Sequence, residues 1–158
     1  MEKLELYRVT DKYIDFLRQI DSVNIKTNKE EKRPYVGVVL KVHNVKYFAP
    51  LSSPKEKYKE MKNNLDFIKI CNGEQGAINL NNMIPVVDKA LLKVDIEQEE
   101  VQYKNLLYDQ IKYINENADR ICKKAEKLYI SVTEYHSFFQ SRCAKFKELE
   151  KRSKEYKG

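Results

Sequence analysis

Within the stretch "FAPLSSPKEKY", Ser52, Ser53, Lys55 and Lys57 close an aromatic and apolar run, while Lys32, Arg33 and Tyr35 open the run before it. Two cations beside two hydroxyls suit a phosphodiester. A guanidinium takes two oxygens in a fork, and a lysine neutralises charge that builds as phosphorus becomes five-coordinate. With RNA as the ester, the nucleophile can be the ribose 2′-OH itself. The protein then has only to orient that attack, relieve one proton and stabilise the oxyanion. Such a site needs neither metal nor histidine. Ser-Ser-Pro-Lys is also ordinary turn chemistry, with proline fixing its own φ and holding Ser53 extended, so these residues alone leave both readings open.

Other chemistries find few residues. The two histidines are His43, in a predicted turn, and His136, near a predicted helix start, and no Asp-x-Asp cluster occurs. No metal ligand set is expected, and no cofactor. Neither a Gly-x-Gly-x-x-Gly nor a phosphate-binding Gly-Lys-Ser/Thr loop is found, which sets aside nucleotide hydrolysis and dinucleotide redox chemistry. Cys71, Cys122 and Cys143 form no Cys-x-x-Cys pair and read as reduced, packed thiols.

A chain of 158 residues with 4 Gly and 4 Pro leaves little room for linkers, so a single domain over residues 1–158 is expected. No signal peptide or membrane span is read, which predicts a cytoplasmic protein with no membrane partner. The net charge of +6 is concentrated: residues 26–59 hold nine basic and three acidic residues, which accounts for the whole excess. A focused patch of this sign attracts a polyanion, nucleic acid before any neutral metabolite.

The elements that must position these residues follow from hydrophobic period. Residues 4–9 alternate as a strand, Thr10 or Asp11 caps a helix carrying Tyr13, Phe16, Leu17 and Ile20, and residues 22–33 read as an exposed loop. "PYVGVVLKVHNVKYFAPL" is a β-hairpin turning at His43-Asn44, expected at the centre of the sheet. Antiparallel pairing lays the start of its first strand beside the end of its second, bringing Arg33 and Lys55 to one rim. "LDFIKIC" is expected as a third strong strand, "AINLNNMIPVV" as two short strands broken near Asn81-Asn82, and "ALLKVDI" as one more. From Gln98 the period becomes helical along Tyr103, Leu107, Ile111, Ile114, Ala118, Ile121 and Ala125, with a break near Asn117. A last helix is expected over Glu134–Lys154. Strands first and helices later indicate an α+β domain with a helical C-terminal third packed on a mainly antiparallel sheet.

Three segments in order, "KRPYVGVVLKVHNVKYFAPLSSPK", "GAINLNNMIPV" and "LLYDQIKYINENADRI", resemble the ToxN/AbiQ family of type III toxin–antitoxin endoribonucleases, and the chain is most similar to its CptN branch. The similarity runs from about residue 2 to about residue 130. It implies a compact, barrel-like antiparallel sheet akin to the Kid/MazF toxins, with appended helices. It also implies metal-independent RNA cleavage leaving a 2′,3′-cyclic phosphate and a 5′-OH. The implied partner is a small pseudoknot-repeat RNA antitoxin that the toxin processes and that then occupies its groove in a closed protein–RNA assembly, in the service of phage defence. Carried onto this sequence, the catalytic hydroxyl and lysine fall on Ser53 and Lys55, Ser52 takes the Ser/Thr position, the basic residue ahead of the strand is Arg33, and the helix tyrosine is Tyr108. Two positions depart from the pattern: an aromatic of some relatives is Lys29 here, and "EKYK" replaces a histidine after the lysine motif. On this assignment Lys55 stabilises the pentacovalent phosphate and protonates the leaving 5′-oxygen. Ser53 and Ser52 hold phosphate oxygens or help remove the 2′-proton, and Arg33 anchors an adjacent phosphate. The general base is left open.

The remaining candidates line the approach. Lys29, Lys32 and Lys57 extend the cation patch, and Lys123 and Lys124 in "RICKKAEKLY" continue a phosphate track or a solvated helix face. Among 11 tyrosines, Tyr103 falls in the helical core stripe, whereas Tyr108 lies about 90° from it at a groove-facing flank and Tyr113 lies on the far flank. Tyr35 and Tyr58 either stack on RNA bases or pack. Besides the endoribonuclease, two other readings use the same residues: a non-catalytic RNA-binding or RNA-sequestering protein, and an interaction module built on the C-terminal helices.

Overall fold

Residues 3–135 and 137–158 are described by a computed structural model. Strand β1 (Glu5–Val9) leads into helix α1 (Asp11–Arg18), whose first free N–H groups include that of Tyr13, held by the Thr10 hydroxyl at 3.3 Å. The hairpin follows as β2 (Tyr35–Val42) and β3 (Val45–Ser52), turning at His43 and Asn44 with both residues at left-handed φ, 51° and 62°. Such a two-residue turn matches the right-handed twist of the strands it joins. Helix α2 (Lys57–Glu60), β4 (Ile68–Lys69), β5 (Ala77–Ile78), β6 (Ile84–Pro85) and β7 (Leu91–Lys93) come next, then α3 (Val101–Glu116), α4 (Ala118–Thr133) and α5 (Phe146–Ser153).

The strands form one antiparallel sheet in the order β4-β5-β3-β2-β1-β7, with β6 also paired to β3, so the hairpin is its centre as expected. The path is open at β4 and β7, and among the described residues no pairing joins these ends. Gly37 faces Phe48 across β2 and β3, where a Cβ would overlap the phenyl ring. Side chains such as Tyr13, Phe48 and Leu17 are fully enclosed, and burying each contributes about 1.5–3 kcal/mol. Helix α4 lies on β2 and α5 on β6. Between them the Glu150 carboxylate accepts hydrogen bonds from the Tyr47 and Tyr129 hydroxyls, both at 2.5 Å, and lies 3.1 Å from His43 Nδ1. One buried acid thus ties α5 to α4 and to the central strand.

Two expected elements differ. "LDFIKIC" is strand only over Ile68–Lys69. Phe67, Ile68 and Ile70 are buried, but Asn63 Oδ1 takes the Lys69 N–H at 2.7 Å, on the side of β4 where a second partner strand would bond. The segment expected as one helix over Glu134–Lys154 is a 3-10 turn at Phe138–Arg142 followed by α5. Tertiary bonds take over the main chain between them: Ala144 N–H goes to Asn81 O at 2.8 Å and Lys145 N–H to Asp21 Oδ2 at 3.0 Å. The break at Asn117 stands where the sequence places it, with the Asn117 amide turned back onto Tyr113 O at 2.9 Å.

Candidate functional site

The hydroxyl end of the site is built by β3 and β5. Leu51 and Ser52 pair with Ile78 and Ala77, and the Asn79 N–H returns to Pro50 O at 3.0 Å. Ser52 is 4% exposed, and its Oγ accepts a hydrogen bond of 2.6 Å from Asn79 Nδ2. With that lone pair occupied, the Ser52 O–H remains free to donate. Gly76 permits this approach: its φ is +99°, and a Cβ there would collide with the Ser52 carbonyl oxygen. Ser53 and Pro54 leave the sheet as exposed residues, and the Lys55 carbonyl accepts the Tyr58 N–H at 3.0 Å to open α2. The Lys55 and Lys57 ammonium groups stand 5.7 and 5.9 Å from the Tyr58 ring centroid.

The cationic end is built by the loop before β2. Tyr35 pairs with Pro50, and the Leu51 N–H reaches Pro34 O at 3.0 Å, so Arg33 and Ser52 sit at the same end of the hairpin. Arg33 Nε donates to Thr27 O at 3.0 Å. The loop is shaped by three consecutive left-handed residues, Lys29, Glu30 and Glu31. It is pinned to α1: Asn28 Nδ2 donates to Val9 O at 2.6 Å and Asp11 Oδ1 at 2.8 Å, and the Asp11 N–H to Glu31 Oε2 at 2.8 Å.

Lys26 joins the two ends. Partial burial, and then the positive charges of Arg33, Lys55, Lys29 and Lys57, hold its ammonium below the usual lysine pKa. Arg33 and Lys55 thus both bear on the charge of Lys26. Lys26, Lys55, Lys57, Lys62 and Asn79 are among the residues lining one open cleft of about 520 Å³, with Tyr58, Asp66 and Arg142 on its wall. Asp66 is not free to neutralise the lysines, because Arg142 grips it in a fork at 2.5 and 2.9 Å. Sequence reasoning passed over Lys26 and Asn79. The signal for Lys26 was its place as the first residue of the basic window; Asn79 lay inside the segment "GAINLNNMIPV", where neither charge nor period singled it out.

The other candidates divide. Tyr35 is not an RNA-facing residue: it is fully buried in the core, its hydroxyl unpartnered and its pKa pushed up by burial. Tyr58 likewise packs, 4% exposed with its ring 5.3 Å from Phe67, and only forms cleft wall. For both, packing prevails over stacking because the strand and α2 turn these rings inward. Lys29 and Lys57 join the cluster and Lys32 is an exposed neighbour of Glu30. Lys124 reaches Asn64 O on the cleft rim at 3.4 Å, whereas Lys123 faces a separate cavity with Lys41, Lys46, Asp119 and Glu126. Tyr108 is held by Glu97, which raises its pKa, and lines an apolar cavity with Leu4, Leu6 and Ile111, none of them a lining residue of the cation cleft. Tyr113 accepts from Arg120 at 3.0 Å. His43 belongs to the Glu150 cluster, and His136 lies outside the described residues. Among the described residues no group of three or more His, Cys, Asp or Glu is placed to hold a metal, and no helix is long and apolar enough to cross a membrane.

Known proteins share this chain's sequence and fold over nearly its full length. It is 35% identical to the endoribonuclease ToxN of Bacillus thuringiensis subsp. kurstaki, across 97% of this chain and 84% of that protein. A solved chain from work on selective toxin inhibition by a non-coding RNA pseudoknot in type III toxin–antitoxin systems superposes with a TM-score of 0.87 at 32% identity, covering 98% of each chain. Another, AbiQ, described as a lactococcal anti-phage endoribonuclease of a type III system, gives 0.85 at 29% identity over 98% of each. A family model described as "Toxin ToxN, type III toxin-antitoxin system" matches residues 5–154, nearly the whole chain, and the protein belongs to that family.

Proposed function

We propose that this protein is the toxin of a type III toxin–antitoxin system: an endoribonuclease that cuts single-stranded RNA without a metal and leaves a 2′,3′-cyclic phosphate and a 5′-OH. A small pseudoknot RNA that it processes is its antitoxin, held in a closed protein–RNA assembly, and phage defence is its role. The observation that carries this reading is the cleft lined by Lys26, Lys55 and Lys57 at the end of the hairpin that holds Ser52 and Ser53, the end at which Arg33 enters β2.

In the reaction, the ribose 2′-oxygen bonds to phosphorus, the P–O5′ bond breaks, and the 2′-proton passes to a base. Lys55 offsets the charge of the five-coordinate phosphate and supplies the proton that the 5′-oxygen takes up. Ser53, exposed at the strand end, and Ser52, with its O–H free to donate, hold non-bridging oxygens. Arg33 takes the neighbouring phosphate. A strongly curved, Kid/MazF-like sheet, a single domain spanning the whole chain and a cytoplasmic setting complete the proposal. Purified wild-type protein and Lys55→Ala are compared on single-stranded RNA in chelator. The expected result is cyclic-phosphate ends from the wild type and loss of turnover with RNA binding kept in the variant. A near-normal rate for Lys55→Ala overturns the assignment.

A further inference from the structure

Phe138 is an exposed phenyl ring, 73% accessible, on the 3-10 turn that precedes α5. It is not a loose side chain on a loose loop. The Arg142 guanidinium carbon lies 4.9 Å from its ring centroid and 5.0 Å from that of Phe139, and the two rings are 5.4 Å apart. Ser131 donates to Ser137 Oγ at 2.5 Å where the turn begins, and Asn81 Nδ2 holds Arg142 O at 3.2 Å where it ends. Arg142 in turn is fixed by its fork to Asp66, which is almost wholly buried. That fork neutralises the guanidinium, so Arg142 stands on the cleft wall less as a phosphate ligand than as a plane supporting the ring.

An exposed apolar ring backed by a guanidinium beside a cation cleft suits a ligand that is anionic along its backbone and flat on its side. Unpaired RNA has both properties: lysines take its phosphates while aromatic and guanidinium planes take its bases. The Arg142 guanidinium against the Phe138 ring also lines the cation cleft, with Asp66 and Asn81, so the ring adjoins a charged surface and not an isolated apolar patch of the kind a protein partner or membrane would cover.

We infer that Phe138, backed by Phe139 and Arg142, is a stacking subsite for one unpaired base of the RNA whose phosphates occupy the Lys26–Lys55 cleft. The inference rests on the endoribonuclease reading, since it takes the same RNA as ligand. It gives the C-terminal segment a part in substrate selection: Phe138 binds and orders the nucleotide, and the strand-end residues act on the linkage.

The test uses a single-stranded RNA cut by the wild-type protein. Its scissile nucleotide is replaced by the 2′-deoxy form, and 2-aminopurine is placed in turn on either side. Wild-type protein is expected to quench the fluorophore at one of the two positions. Phe138→Ala is expected to abolish the quenching, to weaken affinity about 5- to 100-fold, and on the cleavable RNA to raise KM with kcat unchanged. Phe138→Tyr restores both signals, whereas Phe138→Leu, which keeps apolar bulk without a π face, does not. Quenching and affinity unchanged in Phe138→Ala, or full recovery in Phe138→Leu, overturns the inference while leaving RNA cleavage intact. A wild-type protein that neither cuts nor binds any RNA overturns the functional reading beneath it. All variants should melt with the wild type, because the ring is exposed.

Discussion

The Asn79 side-chain amide donates to Ser52 Oγ at 2.6 Å across 27 residues of sequence, and both groups are nearly excluded from solvent. This contact fixes the direction of the serine hydroxyl, because its proton is then the one left to give. Asn79→Ala is expected to lower kcat about 10- to 100-fold with a small change in KM, less than the roughly 100- to 1,000-fold cost of losing a preorganised donor outright, because Asn79 only orients Ser52. Added to Ser52→Ala, it should cost nothing further. A cycle of the four proteins in single-turnover cleavage measures this coupling, and additive losses would show that Asn79 acts elsewhere.

Lys26 sits among like charges in the free protein. With its pKa lowered in the folded state and ordinary in the unfolded chain, the unfolded chain binds the proton more tightly, so this residue adds stability as pH rises through the lowered value. Lys26→Met should therefore raise Tm at neutral pH and flatten that part of the Tm–pH curve. RNA phosphates reverse the effect by raising the Lys26 pKa, so wild-type binding takes up a proton and weakens as pH rises through the window between the two values. The variant should bind RNA more weakly, with a salt slope reduced by about 0.7. Titrations at several pH values and salt concentrations check both signs.

Gly76 is the position at which β5 can approach β3 without a side chain. Gly76→Ala meets both a φ of +99° and the Ser52 carbonyl oxygen. It should cost about 1–3 kcal/mol in urea unfolding. Turnover should fall further than stability alone explains, because Ser52 and Asn79 move with the displaced strand. Cleavage assayed well below the melting temperature separates the two losses.

The Glu150 cluster predicts alkaline behaviour. Burial, followed by the Glu150 carboxylate, pushes the Tyr47 and Tyr129 hydroxyls well above their usual pKa. Groups whose folded pKa is raised contribute stability that is complete below the unfolded value of about 10 and is lost as pH rises beyond it. Tm should accordingly fall above about pH 10. Tyr129→Phe should cost about 1 kcal/mol, and Glu150→Ala about 3 kcal/mol because two buried donors are left without an acceptor. Chemical denaturation of the two variants gives the order directly.

The hairpin, the Asn117 break and the rim shared by Arg33 and Lys55 were legible because each is written in local pattern: alternation, a turn dipeptide, a helical stripe and a charge window. The remainder depends on partners distant in sequence. Asp21 and Asn81 divide the last predicted helix by taking its main-chain N–H groups, and Asn63 blunts β4. Tyr35 gives the same local signal whether it faces RNA or core, and only the layers above and below the sheet decide. Lys26 was visible as charge but not as the meeting point, since its neighbours are assembled by the pinned loop. Asn79 lay within the segment "GAINLNNMIPV" but was not distinguished there from Asn81 or Asn82, because its partner Ser52 is 27 residues away.

That loop has one further consequence. Because Asn28, Glu31 and Asp11 tie the 26–33 loop to the start of α1, the backbone that carries Lys26, Lys29 and Arg33 is shaped before an RNA strand arrives. The cost of becoming ordered then falls on the nucleic acid. A pre-folded knot of RNA, having met that cost before arrival, should outcompete a floppy transcript for the same lysines, which is the relation an inhibitor must have to a substrate.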